Sequence, residues 1–383
     1  MTTLNNRVCV IATAGPWWDH RYFHKQIPAL VNAGWDVRFI CQDPGRSVSA
    51  DCKLVPLSYR QRRWARFTGG ISLLKKILKI KPRAIQLSSI ELLPLGIFVS
   101  LFTGISVFYD CREDMRSAMR EHKTRFPVAI RNLLGAATEM LEVIAGKVFA
   151  GFVVSDPKIY EIQNTVPPEK KLLFYNMPLL RQFPGNYRKL KDREFDFALV
   201  GSMSVRTGVV EVIQALAMLA RSGEYRTLCL IGEPDPEAKK IIIDIIKKSG
   251  IEAQVKITGR LEYDKVPDEI RRCRIGLIPL LDLKKFRNNM ATKQFEYMAC
   301  GMPIISSDLP PQRIFIEEGL SGRFVKPGDI EALANAMSEM AADTDTCQKM
   351  GEYARKKVES EWNAEVMQQL YIKFYKEILG APA

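Results

Sequence analysis

The chain has 383 residues, 47% hydrophobic and 26% charged, with a formal net charge of +13. That length fills two ordinary domains with full cores, and the balance is that of a soluble globular protein rather than a low-complexity one. The cysteines Cys9, Cys41, Cys52, Cys111, Cys229, Cys273, Cys300 and Cys347 are scattered without metal-type or redox-type spacing, and read as buried thiols in a reducing compartment.

In chain order, "MTTLNNR" leads straight into a strand, "RVCVIATA", so no secretory leader is expected. The loop "AGPWWDHR" follows. Gly15 lets backbone approach a ligand closely. Trp17 and Trp18 can stack on a sugar or a lipid headgroup, and Asp19 and His20 can act in proton transfer. The same letters also fit a plain reading, with Asp19 capping the next helix and the tryptophans packed at a domain rim. The helix "HKQIPALVNAG" and the strand "DVRFIC" come next.

The charge is uneven. Residues 1–190 hold 28 Lys+Arg against 14 Asp+Glu, and residues 191–383 hold 28 against 29. Most of the excess lies in "YRQRRWARFTGGISLLKKILKIKPR", Tyr59 to Arg83, with nine basic residues and no acid. Trp64, Phe67, Ile71, Leu74, Ile77 and Leu78 recur there at helical spacing, although Gly69 and Gly70 interrupt it. Such a segment suits an anionic membrane surface, and it also fits a solvated helix packed on its own sheet. Nucleic acid is not an expected partner, because no RNA-binding signature accompanies the basic stretch. The uncharged run Leu92 to Tyr109 has 18 residues. Pro94, Gly96 and Gly104 divide it into a helix and a strand, so it reads as buried α/β structure rather than a membrane span.

"AIQLSS", "VFYD" and "GFVVSD" continue a βαβ pattern with parallel strands. The pattern restarts after the polar stretch Arg181 to Glu194, with "FDFALVGSM", "RTLCLIG", "VKITG", "IGLIPL" and "PIISS" alternating with helices. The fold class is therefore α/β, with two doubly wound Rossmann-like domains facing a cleft: 1–185, basic and suited to an acceptor and a membrane surface, and 190–365. A closing helix, 366–383, can cross back to the first domain.

Ligands of open parallel sheets bind beyond the carboxyl ends of the strands. In "VGSMSVRTGVVEV" a strand ends at Gly201, a turn carries Arg206, and Gly208 opens a helix, which makes an anion site suited to a nucleotide phosphate. In "RNNMATKQFEYMACGMPIISSD" a polar loop meets an apolar helix with Glu296 in its first turn, where the helix dipole favours the ionised carboxylate. That carboxylate can accept hydrogen bonds from two neighbouring hydroxyls, as on a ribose. The N–H groups of Met290, Ala291 and Thr292 can meet a pyrophosphate or a sugar. The alternative is that Glu296 is only a helix-start residue. Asp343 and Asp345 form the one Asp-x-Asp pattern and read as surface.

"TKQFEYMACGMPIISSD" resembles the motif of retaining glycosyltransferases of the GT-B architecture, the family 4 group. "DHRYFHKQIPALVNAGWDVRFI", "VFYDCRED", "LFYNMP", "VGSMSVRTGVVEVIQAL", "ITGRLEYDKVPDEIRRCRIGLIPL" and "GLSGRFVKPGD" agree in order and spacing, so the resemblance covers nearly the whole chain. It implies an enzyme that binds a nucleotide-diphospho-sugar mainly through its second domain, holds an acceptor on its first, and transfers the sugar with retention, without metal or other cofactor. Glu296 matches the second glutamate of the family's Glu-x7-Glu motif, which binds the nucleotide ribose; the first is Asn288 here. The strand-end motif has basic residues at the positions of Ser202 and Thr207, so Arg206 and Lys293 are expected to supply the charge on the diphosphate. Gly15, Gly201, Ser202, Gly232, Arg260, Leu261 and Asn289 complete the expected donor site, the base being met mostly by backbone. Arg112 stands where many relatives have a histidine near the reacting centre and is grouped with the acceptor residues.

The expected function is thus glycosyl transfer in cell-surface polysaccharide, lipopolysaccharide or glycolipid synthesis, by a cytoplasmic protein peripheral on the inner membrane face. The departures at Asn288, Ser202, Thr207 and Arg112 keep open a catalytically silent GT-B protein that scaffolds a partner transferase. Another GT-B enzyme, such as a sugar-nucleotide epimerase, is a third reading.

Overall fold

The structure, a computed structural model, describes residues 6–13, 19–43, 51–57, 69–121, 126–185, 188–288 and 290–382. It divides into two compact units, Met1–Asn176 with Val366–Ala383, and Met177–Glu365.

The first unit is built on β1 (Arg7–Ile11), β2 (Asp36–Gln42), β3 (Lys53–Leu57), β4 (Ala84–Leu87), β5 (Ser106–Cys111), β6 (Gly151–Val154) and β7 (Lys171–Leu173). They form one sheet in the order β3-β2-β1-β4-β5-β6-β7 with parallel pairing. β4 and β6 are buried at every position, as strands covered on both faces must be. The order reverses beside β1, where Val10 pairs with Phe39 on one side and Gln86 on the other. Helices Gly70–Ile80, Leu93–Phe102 and Val128–Val148 cover the same sheet face, because Leu73, Ile77, Leu93, Val99 and Ala145 share one core cluster with Ile85, Val107 and Phe152.

The uncharged run resolves into the helix Leu93–Phe102 and the start of β5. Gly96 lets that helix lie close to the sheet: a Cβ there would come 2.5 Å from Leu87 and 2.7 Å from Phe149. No helix among the described residues is long and apolar enough to cross a membrane. Of the basic stretch, residues 59–68 lie outside the described residues, and the rest includes the helix Gly70–Ile80 with Leu73 and Ile77 turned inward.

A polar network runs through this first core. Arg21 and Asp110 are both buried and pair at 2.7 Å. Arg21 also donates to the Phe174 carbonyl at 2.7 Å, and Gln26 Nε2 donates to Asp110 at 3.1 Å. Gln86 Nε2 donates to Gln26 Oε1 at 2.7 Å, while the hydroxyls of Tyr371 and Tyr375 donate to Gln86 Oε1 at 2.6 and 2.7 Å. The two tyrosines sit one turn apart on the closing helix Ala364–Leu379, so they share a face. Tyr375 also stacks on Phe108 with centroids 4.2 Å apart. The closing helix therefore packs on the first sheet and supplies partners for a glutamine buried in a central strand, where an unmatched amide is costly.

The second unit is built on β8 (Phe195–Val200), β9 (Leu228–Ile231), β10 (Val255–Ile257), β11 (Cys273–Ile278), β12 (Ile304–Ser307) and β13 (Gly322–Val325), in the order β10-β9-β8-β11-β12-β13 with parallel pairing. Helices Val209–Arg221, Pro236–Ser249 and Ile330–Ala342 bury Val212, Leu216, Ile242 and Met337 against Phe197, Leu199, Leu230 and Ile275. The order reverses between β8 and β11. All eight cysteines are free thiols, buried except for the half-buried Cys52. Asp343 and Asp345 are exposed, and Asp343 caps the helix Thr344–Ser360 by accepting the Thr346 N–H at 3.0 Å.

Candidate functional site

The strand reversal in the second unit is bridged by one side chain. β8 and β11 pair only as far as Ala198 and Gly276. Beyond that register the Val200 N–H donates to the Tyr297 hydroxyl at 2.9 Å, and the same hydroxyl faces the carbonyls of Ala198 at 3.2 Å and Leu277 at 3.3 Å. The ring occupies the space over Gly276, where a Cβ would lie 2.3 Å from it. The phenol thus meets backbone groups that the diverging strands can no longer satisfy for each other.

The loop after β8 is set by two glycines and a capping box. Gly201 has φ +100, and Gly208 has φ +80 with its Cβ position 1.8 Å from the Pro279 carbonyl oxygen, which only glycine allows. Between them, Ser204 and Thr207 cap the turn Val205–Thr207 reciprocally, the Ser204 N–H donating to Thr207 Oγ1 at 2.8 Å. The Thr207 hydroxyl is therefore engaged in the turn itself. Ser202 is exposed at the loop's edge. Arg206 is exposed, with no ion pair among the described residues. Gly232 packs against the Gly201 carbonyl, and its own N–H donates to Thr258 Oγ1 at 3.1 Å. Arg260 is exposed and Leu261 half-buried just beyond β10.

Glu296 lies in the first turn of the helix Lys293–Ala299, and the Tyr263 hydroxyl donates to its Oε1 at 3.3 Å. The other end of this helix is anchored by two buried arginines. Arg193 donates to the Cys300 carbonyl at 2.8 Å, and Arg355 donates to the Ala299 carbonyl. Cations on terminal carbonyls complement the helix dipole and satisfy orphan acceptors. The carboxylate thus sits on an element fixed from both sides. Asn288 ends the short helix Lys284–Asn288, and Met290, Ala291 and Thr292 form the partly exposed link to Lys293. Asn289 lies outside the described residues.

Burial pushes the Lys293 ammonium down to about 8, against the upward pull of Glu296. It has no hydrogen bond or ion pair among the described residues. A bound anion favours the charged amine and raises its pKa, so binding takes up a proton at higher pH. Affinity for a nucleoside diphosphate is expected to fall by up to about tenfold per pH unit above about pH 8, until the bound-state pKa is reached. Calorimetric titrations at about pH 7 to 9.5 check this, with Lys293→Met losing the dependence. A flat wild-type profile would place the amine away from the anion.

In the first unit, Gly15, Trp17 and Trp18 lie outside the described residues. Asp19 Oδ1 accepts the Arg21 N–H at 2.9 Å, and its Oδ2 accepts from Arg112 Nη1 at 2.9 Å. Asp19 and Arg112 are thus brought together, and the aspartate also caps the helical turn after it. Arg112 lies over the Tyr22 ring at 5.3 Å. Burial, and then the neighbouring His24 and Lys25 charges, lower the His20 imidazole to about 4 despite Asp19, so it is neutral near pH 7. His20 stacks on His24 at 4.9 Å.

The sequence did not single out Tyr263 or Tyr297. A tyrosine in a βα loop carries no signal of its own, and Tyr297 reads as one more apolar helix residue. The pairing of Gly276 with an aromatic beyond the next loop was the available hint.

Residues 186–357 match the family model described as "Glycosyl transferases group 1". The chain is similar to the amylovoran biosynthesis glycosyltransferase AmsK of Erwinia amylovora, with 25% identity over 267 residues, 68% of this chain and 61% of that protein. The chain thus spans less than two thirds of that relative's length. Among solved structures, sucrose-phosphate synthase from Thermosynechococcus elongatus superposes with a TM-score of 0.76 at 17% identity, covering 98% of this chain and 99% of that one. Anabaena HepE in complex with UDP gives 0.73 at 13% identity, covering 97% and 100%. The two parallel-sheet Rossmann-like units match the fold of GT-B glycosyltransferase structures.

Proposed function

We propose that the protein is a retaining, metal-independent glycosyltransferase that moves a sugar from a nucleotide-diphospho-sugar to an acceptor hydroxyl. The observation that carries this reading is the set of groups around the strand reversal of the second unit: a carboxylate steadied by a tyrosine, a half-buried amine with a lowered pKa, and an arginine on a rigid turn. Breaking the anomeric bond leaves a negative diphosphate and an oxocarbenium-like sugar. Arg206 and Lys293 stabilise the first, and Glu296 fixes the donor through its ribose. Asn288 offers an amide to a sugar hydroxyl. On the first unit, Asp19, His20, Arg112 and the two tryptophans serve the acceptor. The solved HepE structure with UDP supports a nucleotide-sugar donor by analogy of fold. The similarity to AmsK supports a role in polysaccharide or glycolipid synthesis, and the basic stretch supports a cytoplasmic site at the inner membrane face.

Glu296→Ala is expected to weaken binding of a ribonucleoside diphosphate by about one to two decades, the worth of a charge-assisted hydrogen bond, without unfolding. The mutant should also lose any preference over the 3′-deoxy nucleotide, and Tyr263→Phe should lose part of it. Equal affinities in wild type and mutant would remove the ribose role.

A second reading, a silent GT-B scaffold, is favoured by Thr207, whose hydroxyl is engaged in its own turn and offers nothing to a phosphate. A panel of nucleotide-sugars separates the two, because a working transferase releases free nucleotide slowly even without acceptor, whereas a scaffold releases none.

A further inference from the structure

The helix Val128–Val148 presents its faces the wrong way round for water. Its inner face buries Gly135, Thr138, Glu142 and Ala145. Its outer stripe, at i, i+4, i+7 and i+11, is Leu133, Ala137, Met140 and Ile144, with Leu133 69% and Met140 59% exposed. Both its carboxylates are neutralised sideways: Glu142 by Arg116 at 2.6 Å, and Glu139 by Arg120 at 2.9 Å. A helix on a soluble surface normally turns its polar residues outward.

The neighbouring helix Leu93–Phe102 has no charged residue, and its Ser100 hydroxyl donates to the Val148 carbonyl at 2.7 Å, tying the two together. Leu101 and Phe102 are 57% and 72% exposed, and the Phe98 and Phe102 rings lie 5.0 Å apart. The helix Gly70–Ile80, on the same sheet face, exposes Ile71, Lys75 and Lys79 and has no acid. These three outer faces therefore combine large apolar side chains with lysines, and every carboxylate on the three helices is paired. Large exposed apolar patches mark interaction surfaces, and this charge pattern complements one occupant in particular.

We infer that the outer faces of these three helices dock the protein on an anionic lipid bilayer, with Phe98, Leu101, Phe102, Leu133, Met140 and Ile144 entering the headgroup–acyl boundary. The inference extends the membrane placement proposed above to a defined surface. It does not need the transfer reaction, so the two can fail separately.

The test is flotation of the full chain with vesicles of phosphatidylcholine alone or with about one third phosphatidylglycerol, at low and high salt. Wild type is expected to float with anionic vesicles. Phe98→Gln/Leu101→Gln/Phe102→Gln and Met140→Gln/Ile144→Gln should weaken binding about tenfold or more at both salt levels, whereas Lys75→Gln/Lys79→Gln should weaken it only at low salt, where charge is unscreened. An unchanged unfolding transition of the first unit and wild-type circular dichroism report intact protein. Should a variant misfold, hydrogen exchange of the wild type on vesicles decides: amides of 93–102 and 128–148 must gain protection. A wild type that does not float, variants that float equally, or protection confined elsewhere overturns the inference. So does a dimer in sedimentation that the same substitutions dissociate, which would make a second copy the occupant. Vesicle binding through this face with no nucleotide binding would keep the inference and sink the transferase reading.

Discussion

Arg206→Ala is expected to lower turnover about 10²–10³-fold and to leave the Michaelis constant within about threefold, the loss typical of one preorganised donor aimed at developing charge. The reasoning starts from the backbone. The capping box and the close approach of Gly208 to Pro279 fix the turn from which the arginine projects, so little reorganisation is needed when a diphosphate leaves. The side chain is exposed and no carboxylate competes for it among the described residues. In the proposed reaction negative charge on the leaving group grows as the anomeric bond breaks, so a cation aimed there would stabilise the transition state more than the bound donor. Steady-state kinetics with the donor found in the nucleotide-sugar panel measures both constants, and Arg206→Lys should keep part of the rate. Full turnover in the alanine variant would move the role to Lys293 or to backbone N–H groups.

Asp110→Ala should destabilise the first unit by about 3–5 kcal/mol, because it leaves the buried Arg21 guanidinium without its counter-charge. Chemical denaturation followed by probes in each unit should show the first transition move and the second stay, since the two units have separate cores. The double variant Arg21→Met/Asp110→Leu should recover only part of the loss, because it removes the unpaired charge but leaves the Gln26 amide and the Phe174 carbonyl without their partners. A shift under about 1 kcal/mol in the single variant would mean that water reaches the site.

Much of the architecture could be read from the letters. Runs such as "VCVI" and "LCLI" lie in strands buried on both faces, and such strands advertise themselves by continuous hydrophobicity. Glu296 was conspicuous as a lone acid in an apolar helix. The connections that hold these pieces were not legible, because they join residues far apart in the chain. Gln86 meets Tyr371 and Tyr375 across separations of 285 and 289 residues, and nothing near Gln86 announces that a strand glutamine will find phenols. Tyr263 and Glu296 are 33 residues apart and carry no shared pattern. The helix Val128–Val148 shows a different limit. Periodicity reveals that a helix has an apolar stripe, but not that the stripe faces outward, and here the default assignment to a core inverts the truth.

The closing helix has a consequence for how the protein is made. Ribosomes deliver the first sheet early, yet two of its partners, Tyr371 and Tyr375, follow the whole second unit in sequence. At about 5–20 residues per second, tens of seconds pass while the whole second unit is synthesised. During that interval the nascent first unit carries an unmatched Gln86 and an uncovered flank at Phe108. The younger unit can therefore mature before the older one, reversing the usual N-to-C order of vectorial folding. A nascent chain stalled before Tyr371 would be a substrate for holdase chaperones, and protease resistance of the first sheet would appear only after Tyr371 and Tyr375 have been made.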